Sequence, residues 1–469
     1  MQEAVQTTAP GIRQFFREAL AGTAQDFTQG SLSRGIALLA VPTVLEMMME
    51  SAFGLTDAFW VARLGADAIA AVGLTESLVV LLFSIALGLS MAATATVARR
   101  IGEKDPEGAS LAAVQVIACG LLAALVTGIA GACLASRLLV WMHATPGIVR
   151  IGSGYASLIL GGNACIMLLF LINGIFRGAG DAAIAMRVLW LANLINMVLD
   201  PCFIYGYAGF PKLGVTGAAV ATTIGRGAAE LYQLWVLFEG RSRVALARRH
   251  LCIQREVLAR LLRVGGVAMI QYFIATASWV SLVRINARFG SAAAAGYTLA
   301  FRIILFAILP SWGISSAAAT LVGQNLGAKR PDRSERAVWL AGAYNMFFLT
   351  AVGIAFFSFA RAIVGWFTGD VAVAPIAISC LRYVSLGYPF YAWGMIMEQA
   401  FNGAGDTATP TCVNLFCYWM FQIPLAWWLA EPIGLGSRGV YLAICTAESV
   451  LALVSITLFR RGKWKKVAI

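Results

Sequence analysis

The first apolar stretch of the chain carries three carboxylates that share one helical face. Because an α-helix turns about 100° per residue, Glu50 lies about 40° and Asp57 about 20° around the helix axis from Glu46. An ionised side chain at mid-membrane costs roughly 2.5–3.5 kcal/mol. The carboxylates therefore have to face a protein interior or an aqueous cavity. In a cavity they would bind a proton, a small cation or a positively charged substrate.

A second polar face lies on a later apolar stretch, where Asn193, Asn196 and Asp200 are spaced i, i+3, i+7. Pro201 follows directly, removes one backbone donor and frees a carbonyl oxygen. These oxygens together suit a proton or a small hard cation. We predict an ion-coupling site made of Asp57 and these three polar residues. The predicted ion is a proton, or a Na⁺ ion that binds weakly at Asp57, Asn196 and Asp200. A purely structural role between neighbouring helices is the competing interpretation.

The composition requires a membrane around these residues. Of the 469 residues, 60% are hydrophobic and only 12% are charged, whereas a soluble domain has roughly a quarter of its residues charged. Charge-free runs such as 77–98 and 337–360 are long enough for the about 20 residues that span a hydrocarbon core. Strict alternation of apolar and polar residues is missing, so we expect helices and not a β-barrel.

We predict an all-α integral membrane protein with twelve transmembrane helices. In the first half they are expected at 33–58, 68–98, 109–136, 149–176, 183–208 and 215–239. In the second half they are expected at 259–287, 292–323, 335–360, 373–401, 408–430 and 437–459. Because six is an even number, both halves enter the membrane in the same orientation. Their pseudo-twofold axis then runs along the membrane normal.

The two halves also repeat in sequence, at an offset of 225 residues that holds across four landmarks. The landmark pairs are Gly65 and Gly290, Gly102 and Gly327, Trp141 and Trp366, and Asp181 and Asp406. Later in each half the offset is 222, as Gly214 and Gly436 indicate. We therefore expect two homologous bundles with a cleft between them. Asp181 and Asp406, in the two Gly-Ala-Gly-Asp turns, are predicted helix N-caps.

Five segments follow from this division. Residues 1–32 form an N-terminal tail, 33–240 the N-lobe, 241–258 a basic linker, 259–460 the C-lobe, and 461–469 a basic tail. Within the first tail, the apolar and basic residues between 12 and 20 predict an interfacial helix. A disordered tail is the alternative.

The net charge of +12 does not indicate a nucleic-acid partner, because the charges follow membrane topology. Most Lys and Arg residues fall on the side of both termini, which predicts cytoplasmic termini by the positive-inside rule. The densest groups are in the linker and the tail: Arg241, Arg243, Arg248 and Arg249, and Arg460, Arg461, Lys463, Lys465 and Lys466.

The cysteines and histidines do not indicate an enzyme. Nine cysteines occur, mostly within helices, and Cys412 and Cys417 have neither metal-site spacing nor a histidine partner. The two histidines, His143 and His250, lie in loops on opposite sides. We therefore expect neither catalysis nor a cofactor, only a coupling ion.

Further residues are candidates for the cavity wall, with ordinary core packing as the alternative for the apolar ones. They are Glu46, Glu50, Phe53, Met269, Tyr272 and Glu398. Arg226 is expected to pair with Glu230 one turn along its helix or with Glu448 across the lobes, its counterpart at offset 222. Glu76 is expected to be solvated near the outer end of the second helix.

Several motifs together resemble the multidrug and toxic compound extrusion (MATE) family. The segment from Gly54 to Val61 (GLTDAFWV) looks like its first-helix signature, and that from Val322 to Ala328 (VGQNLGA) resembles its eighth-helix motif. The resemblance covers about residues 33–460. It implies a V-shaped carrier that exports drugs by alternating access, driven by protons or Na⁺, in the bacterial inner membrane.

The resemblance also implies roles for single residues. Asp57 matches the first-helix acid of the family, and Asn196 with Asp200 resembles the fifth-helix pair of the DinF-like branch. The NorM-like branch has a glutamate in helix seven, where this chain has Gln271, Tyr272, Phe273 and Ile274. The DinF-like branch is therefore favoured.

We expect a monomeric exporter of amphipathic cations. The alternative is a flippase for a lipid-linked or polyisoprenoid substrate, whose pyrophosphate would need a basic cavity. Arg226, Arg284 and Arg302 are the residues that keep this alternative open.

Overall fold

The computed structural model describes residues 12–22 and 25–467. Within these ranges the backbone is helical and contains no β-strand, as predicted. The N-lobe helices are α2 (Leu32–Ala62), α3 (Ala66–Gly102), α4 (Pro106–Trp141), α5 (Pro146–Gly161), α6 (Asn163–Ala179), α7 (Ala182–Tyr205) and α8 (Val215–Glu239). A short helix, α1 (Ile12–Ala21), precedes them.

The C-lobe repeats this order with additional breaks. Its helices are α9 (Arg255–Ala287), α10 (Ser291–Gly327), α11 (Pro331–Phe367), α12 (Ala374–Leu386), α13 (Tyr388–Ala404), α14 (Ala408–Asn414), a π-helix (Leu415–Gln422), α15 (Ile423–Ala430) and α16 (Ser437–Arg460). Ten segments of the described chain are long and apolar enough to cross a membrane. With α8 and the α12–α13 pair, the twelve predicted spans are present.

Two predicted helices are each broken in the middle. The fourth span is divided at Gly162 and the tenth at Gly387, two glycines that are again 225 residues apart. The eleventh span contains the π-helix, whose wider turn shifts the side chains that follow it. These interruptions were not predicted.

Most spans are longer than the lipid core requires. The α3 helix has 37 residues, which corresponds to about 55 Å of helix against a hydrocarbon core of about 30 Å. The sequence-based prediction ended this helix at residue 98, before Arg99 and Arg100, because charged residues were taken as the helix boundary.

The outward face of α4 is fully apolar in its middle and suited to lipid. The residues exposed there are Leu121, Leu122, Leu125, Val126 and Ile129.

The backbone confirms the sequence repeat. Gly65 and Gly290 both have φ 104°, and Lys104 (φ 59°) matches Lys329 (φ 57°). A non-glycine residue with positive φ is uncommon, so its recurrence at equivalent positions indicates the same turn in both lobes.

The lobes meet through α2 against α10 and through α3 against α9. Glycines permit these close approaches, and the contacts occur in equivalent pairs. A Cβ atom at Gly88 would lie 2.5 Å from the backbone nitrogen of Met269, and one at Gly313 would lie 2.9 Å from that of Val44. The residue numbers of these two contacts are related by the offset of 225.

The contact between lobes continues to the face where the described chain begins and ends, which we call the terminal face. There, Cβ atoms at Gly102 and Gly327 would overlap the carbonyl oxygens of Gln324 and Arg99 respectively. At the opposite face, Gly65 and Gly290 have no atom near an added Cβ. Among these glycine pairs, the tightest contacts between the lobes therefore lie at the terminal face.

The segment before α2 closes the terminal face. The Phe27 side chain is buried and packs against Gly180 and Gly35 of the N-lobe. The backbone carbonyls that follow it accept hydrogen bonds from C-lobe arginines. Arg330 Nη1 donates to Thr28 O at 3.0 Å, and Arg333 Nη2 donates to Gln29 O at 2.8 Å and to Gly30 O at 3.0 Å. This part of the predicted tail is therefore docked across both lobes.

The capping hydrogen bond predicted for both aspartates forms at only one of them. Asp406 directly precedes Thr407, the N-cap residue of α14, and accepts the backbone N–H of Thr409 at 3.2 Å, as a capping side chain does. Asp181 makes no capping bond. Its carboxylate instead accepts hydrogen bonds from the Ser242 hydroxyl at 2.5 Å and the Arg243 N–H at 3.1 Å. Burial raises the pKa of Asp181 above its ordinary value, and the residue ties the basic linker to α7.

Candidate functional site

The residues predicted to bind the coupling ion lie inside the N-lobe, where α2 and α7 meet near α8. Asp200 is fully buried on α7. Asn196 lies one turn earlier and donates one N–H to Asp200 Oδ1 at 3.2 Å and the other to the Thr222 hydroxyl of α8 at 3.0 Å. Asp57 of α2 is close enough to Asp200 for their charges to interact. Three of the four predicted residues therefore lie together.

Three buried oxygens in this cluster have no hydrogen-bond partner. They are Asp57 Oδ1, Asn196 Oδ1 and Asp200 Oδ2. A buried acceptor without a partner is costly, and two neighbouring carboxylates repel each other unless a positive charge lies between them. A proton or a small cation bound at this position would satisfy both conditions.

Asn193, the fourth predicted residue, belongs to a neighbouring group. Its Nδ2 donates to Glu50 Oε2 at 3.0 Å, and Arg226 Nη2 lies 3.8 Å from Glu50 Oε1. The Arg226 guanidinium also lies above the Phe53 ring, 5.7 Å from its centroid. Both partners predicted for Arg226 are wrong: among residues 12–22 and 25–467 it pairs with neither Glu230 nor Glu448.

Glu46 occupies the protein interior and does not line open space. It is 1% exposed, and its Oε1 lies 3.1 Å from Arg177 Nη1 and accepts a hydrogen bond from Asn173 at 3.2 Å. The ion pair joins α2 to α6. The prediction that Glu46 is a cavity-lining substrate residue does not hold in this structure, since the ion pair occupies the carboxylate.

The three C-lobe candidates lie near the contact between lobes. Met269 packs on Gly88. Tyr272 packs with Met91, and its buried hydroxyl has no partner. Glu398 accepts a hydrogen bond from Gln271 Nε2 at 2.5 Å.

Three further residues lie at the N-lobe cluster and were not predicted to belong to it. Glu76 is exposed, as predicted, but it faces Asp57 closely enough to interact with its charge. Tyr155 of α5 is buried within electrostatic reach of Asp57 and Asp200. Thr222 binds Asn196. Of the three, only Glu76 gave a signal in the sequence, since tyrosine and threonine are common in membrane helices.

The C-lobe holds a cavity of about 290 Å³ between α9, α10, α12, α13, the π-helix and α16. Its wall is largely aromatic, with Trp279, Tyr297, Phe301, Tyr388, Tyr391 and Tyr418. Glu448 of α16 is its one acidic lining residue among those described. This cavity was not predicted.

The comparisons with known proteins agree with this architecture. The model of the MatE family matches residues 42–202 and 267–428, one segment in each lobe. The chain belongs to the MatE family. It is thus a multi-pass membrane protein of the MATE transporters, and the resemblance noted in the sequence is confirmed. The family match also repeats the division into two homologous halves.

Individual relatives extend over nearly the whole chain. A protein of Thermotoga maritima named "Probable multidrug resistance protein NorM" is 27% identical over 92% of this chain and 93% of its own length. An "outward-facing conformation of a multidrug resistance MATE family transporter" superposes with a TM-score of 0.89 at 28% identity, covering 95% of this chain and 99% of that one.

A third relative is described by the polarity of its binding pocket. It is a MOP superfamily transporter from Pyrococcus furiosus, described as having "reverse polarity of binding pocket" that "suggests different function". It superposes with a TM-score of 0.89 at 28% identity and covers 94% of this chain and 98% of its own.

Proposed function

We propose that this MATE transporter exports cationic amphipathic compounds by alternating access, in exchange for protons or Na⁺ bound at Asp57, Asn196 and Asp200. The observation that carries the proposal is the group of three buried, unpartnered oxygens between α2 and α7. Relatives named as multidrug resistance proteins support the substrate class.

An ion gradient supplies enough free energy to drive such an exchange. Each pH unit across the membrane supplies about 1.4 kcal/mol per proton, roughly a tenfold substrate gradient. One proton exchanged for one monovalent cation moves no net charge. A second ion would add about 2.3 kcal/mol per 100 mV of membrane potential.

We further propose that the chain is a monomer of the bacterial inner membrane with a cytoplasmic terminal face. The basic residues of the linker and of the C-terminal segment support this orientation. The cleft then opens to the outside. We also propose that the chain belongs to the DinF-like branch. This proposal is based on the acidic residues of α2 and α7, and on the lack of an acidic residue among Gln271 to Ile274. Several relatives nevertheless have NorM names.

A flippase for lipid pyrophosphates is less well supported, because the three arginines that favoured it do not form a basic cavity. Arg226 is paired with Glu50. Arg284 and Arg302 are exposed on different helices. The cluster they would have to surround is acidic.

The deciding experiment measures ethidium transport in inverted vesicles, under a proton gradient and a Na⁺ gradient imposed separately. We expect wild type to follow one of the two gradients and Asp57→Asn to fall to background, because the variant lacks the exchangeable charge. The matched control is Asp67→Asn, an exposed acid in the first turn of α3, which should transport like wild type.

Two outcomes would contradict the proposal. If folded wild type transports no dye under either gradient, multidrug export is wrong and lipid-linked substrates become the better candidates. If Asp57→Asn transports as well as Asp67→Asn, the export remains but the coupling site is elsewhere.

A further inference from the structure

We propose that the C-lobe cavity is a second binding site, for a small organic cation with an aromatic or aliphatic body, and that Glu448 supplies the counter-charge. This inference rests on the proposed export function and deepens it. It separates the place where the exported cation binds from the N-lobe carboxylates that bind the coupling ion.

The dimensions and wall of the cavity suit such a ligand. Its volume of about 290 Å³ is near the lower end for small-molecule sites, which measure about 300–1,000 Å³. Trp279 and Phe301 lie with ring centroids 3.8 Å apart and planes 33° apart. The indole N–H of Trp279 donates to the Tyr297 hydroxyl at 3.1 Å and so fixes the ring. Fixed aromatic faces attract cations through their quadrupoles.

The carboxyl group inside the cavity has no basic partner in the described part of the chain. Glu448 is 8% exposed, and no described Lys or Arg lies within ion-pair distance of it. The Tyr418 hydroxyl lies beside this carboxyl group, and a second acid, Glu398, is close enough to interact with it electrostatically. An isolated buried carboxylate is strongly unfavourable, whereas a cation bound in the cavity would neutralise it.

Polar groups without partners support a ligand independently of the charge. Tyr388 lines the cavity and is 1% exposed, yet its hydroxyl has no hydrogen-bond partner. The π-helix contributes Tyr418 and Gln422 to the wall, and π-helical turns occur frequently at functional sites. Gln422 is held in place by the Ser278 hydroxyl, which donates to its Oε1 at 3.3 Å.

The repeat relates this cavity to the N-lobe cluster. At the offsets of 225 and 222, four charged residues of the N-lobe correspond to four residues that line the cavity. The pairs are Glu50 and Ala275, Asp57 and Leu282, Glu76 and Phe301, and Arg226 and Glu448. Three acids have been replaced by apolar residues and the one base by an acid. The same place in the fold is therefore suited to small ions in one lobe and to an apolar cation in the other.

The test is a fluorescence titration of the purified full-length protein with 4-(4-dimethylaminostyryl)-N-methylpyridinium, a permanent cation with two rings. Its uncharged analogue, which lacks the N-methyl group, is titrated in parallel. We expect Glu448→Gln to weaken binding of the cation by about tenfold or more and to leave binding of the neutral analogue nearly unchanged. Asp57→Asn should retain cation binding.

A second variant covers the case in which Glu448→Gln does not fold. Ala275→Phe fills the cavity from α9 without removing the charge, and it should abolish binding of both probes. Thermal unfolding of each variant in detergent checks that it is folded.

The outcomes separate this inference from the proposed function. If wild type binds the cation but Glu448→Gln and Ala275→Phe bind it equally well, the inference is overturned, whereas export is unaffected. Equal weakening of the charged and the neutral probe by Glu448→Gln would show an apolar or lipid pocket and would also overturn it. If wild type neither binds the cation nor transports ethidium, the proposed function itself has failed.

Discussion

Each lobe contains one buried polar triad at equivalent positions, but the two triads distribute charge differently. The N-lobe has Glu46, Asn173 and Arg177, and the C-lobe has Gln271, Glu398 and Asn402. In both lobes an amide donates to a carboxylate, at 3.2 Å in the N-lobe and 2.5 Å in the C-lobe. The acid has exchanged places with the amide, and the arginine has become an asparagine whose side chain has no partner.

This difference shows what a duplicated fold preserves. The hydrogen bond that joins the first and fourth helices of each lobe is kept, whichever helix supplies the acid. The counter-charge is kept only in the N-lobe. The C-lobe therefore retains two acids, Glu398 and Glu448, for which no described basic residue is a partner, and this favours cation binding there.

The largest effect on stability is expected from breaking the N-lobe triad. Glu46→Gln copies the C-lobe residue but leaves Arg177 buried without its partner. Because both side chains are at most 5% exposed, the loss should be about 3–5 kcal/mol of unfolding free energy. The measurement is thermal or denaturant unfolding in detergent.

The control is the double variant Glu46→Gln with Arg177→Met, which removes both charges together. It should recover most of the lost stability, because replacing a buried ion pair by neutral groups of similar size is often nearly neutral. Equal losses in the single and the double variant would mean that the ion pair is not the source of the effect.

An intermediate effect is expected where the repeat inverts the charge. Arg226→Gln removes the partner of Glu50, whose side chain is 23% exposed, and should cost about 1–2 kcal/mol. Glu448→Gln at the equivalent C-lobe position should cost nothing or should stabilise the protein, because it removes an uncompensated buried charge. The two variants are compared by their unfolding midpoints, and destabilisation by Glu448→Gln would show that the carboxylate is structurally satisfied.

The smallest effect on stability is expected at Asp181, in the Gly-Ala-Gly-Asp turn of the N-lobe, and it depends on pH. Burial raises the pKa of Asp181 above its ordinary value of 3.8, so folding favours the protonated carboxyl. That contribution is fully present below about pH 4 and is lost as the pH rises through the folded value. Wild type should therefore lose stability relative to Asp181→Asn as the pH rises above about 4, seen as a shrinking difference in unfolding midpoints. A difference that grows with pH would show that the hydrogen bonds from Ser242 and Arg243 outweigh burial.

The helices and the repeat could be predicted from the sequence because both leave local signals. Lipid requires about 20 apolar residues per span, and the landmark residues of the two halves keep a constant offset of 225. The division at Gly162 and Gly387 could not be predicted, since a glycine alone does not end a membrane helix. It could have been found only by noticing that both glycines obey the same offset.

The candidate site was predicted only in part, because only some of its features leave a local signal in the sequence. The face shared by Asn196 and Asp200 follows from helical periodicity, and their proximity to Asp57 follows from the cost of charge in lipid. The partners of Arg226 and Glu46 depend on how helices from different parts of the chain pack. The correspondence of Arg226 with Glu448 was visible in the sequence, but the cavity around Glu448 forms only where six helical segments pack together.

The docked segment around Phe27 bears on the proposed alternating access. Opening the terminal face would break the hydrogen bonds that Arg330 and Arg333 donate to the carbonyls of Thr28, Gln29 and Gly30, each worth about 0.5–1.5 kcal/mol. A bias of about 3 kcal/mol leaves the other conformation populated at less than about 1%. Under this proposal the segment before α2 sets how often the terminal face opens, and a cargo would have to bind the open state more tightly by the same free energy to restore its population.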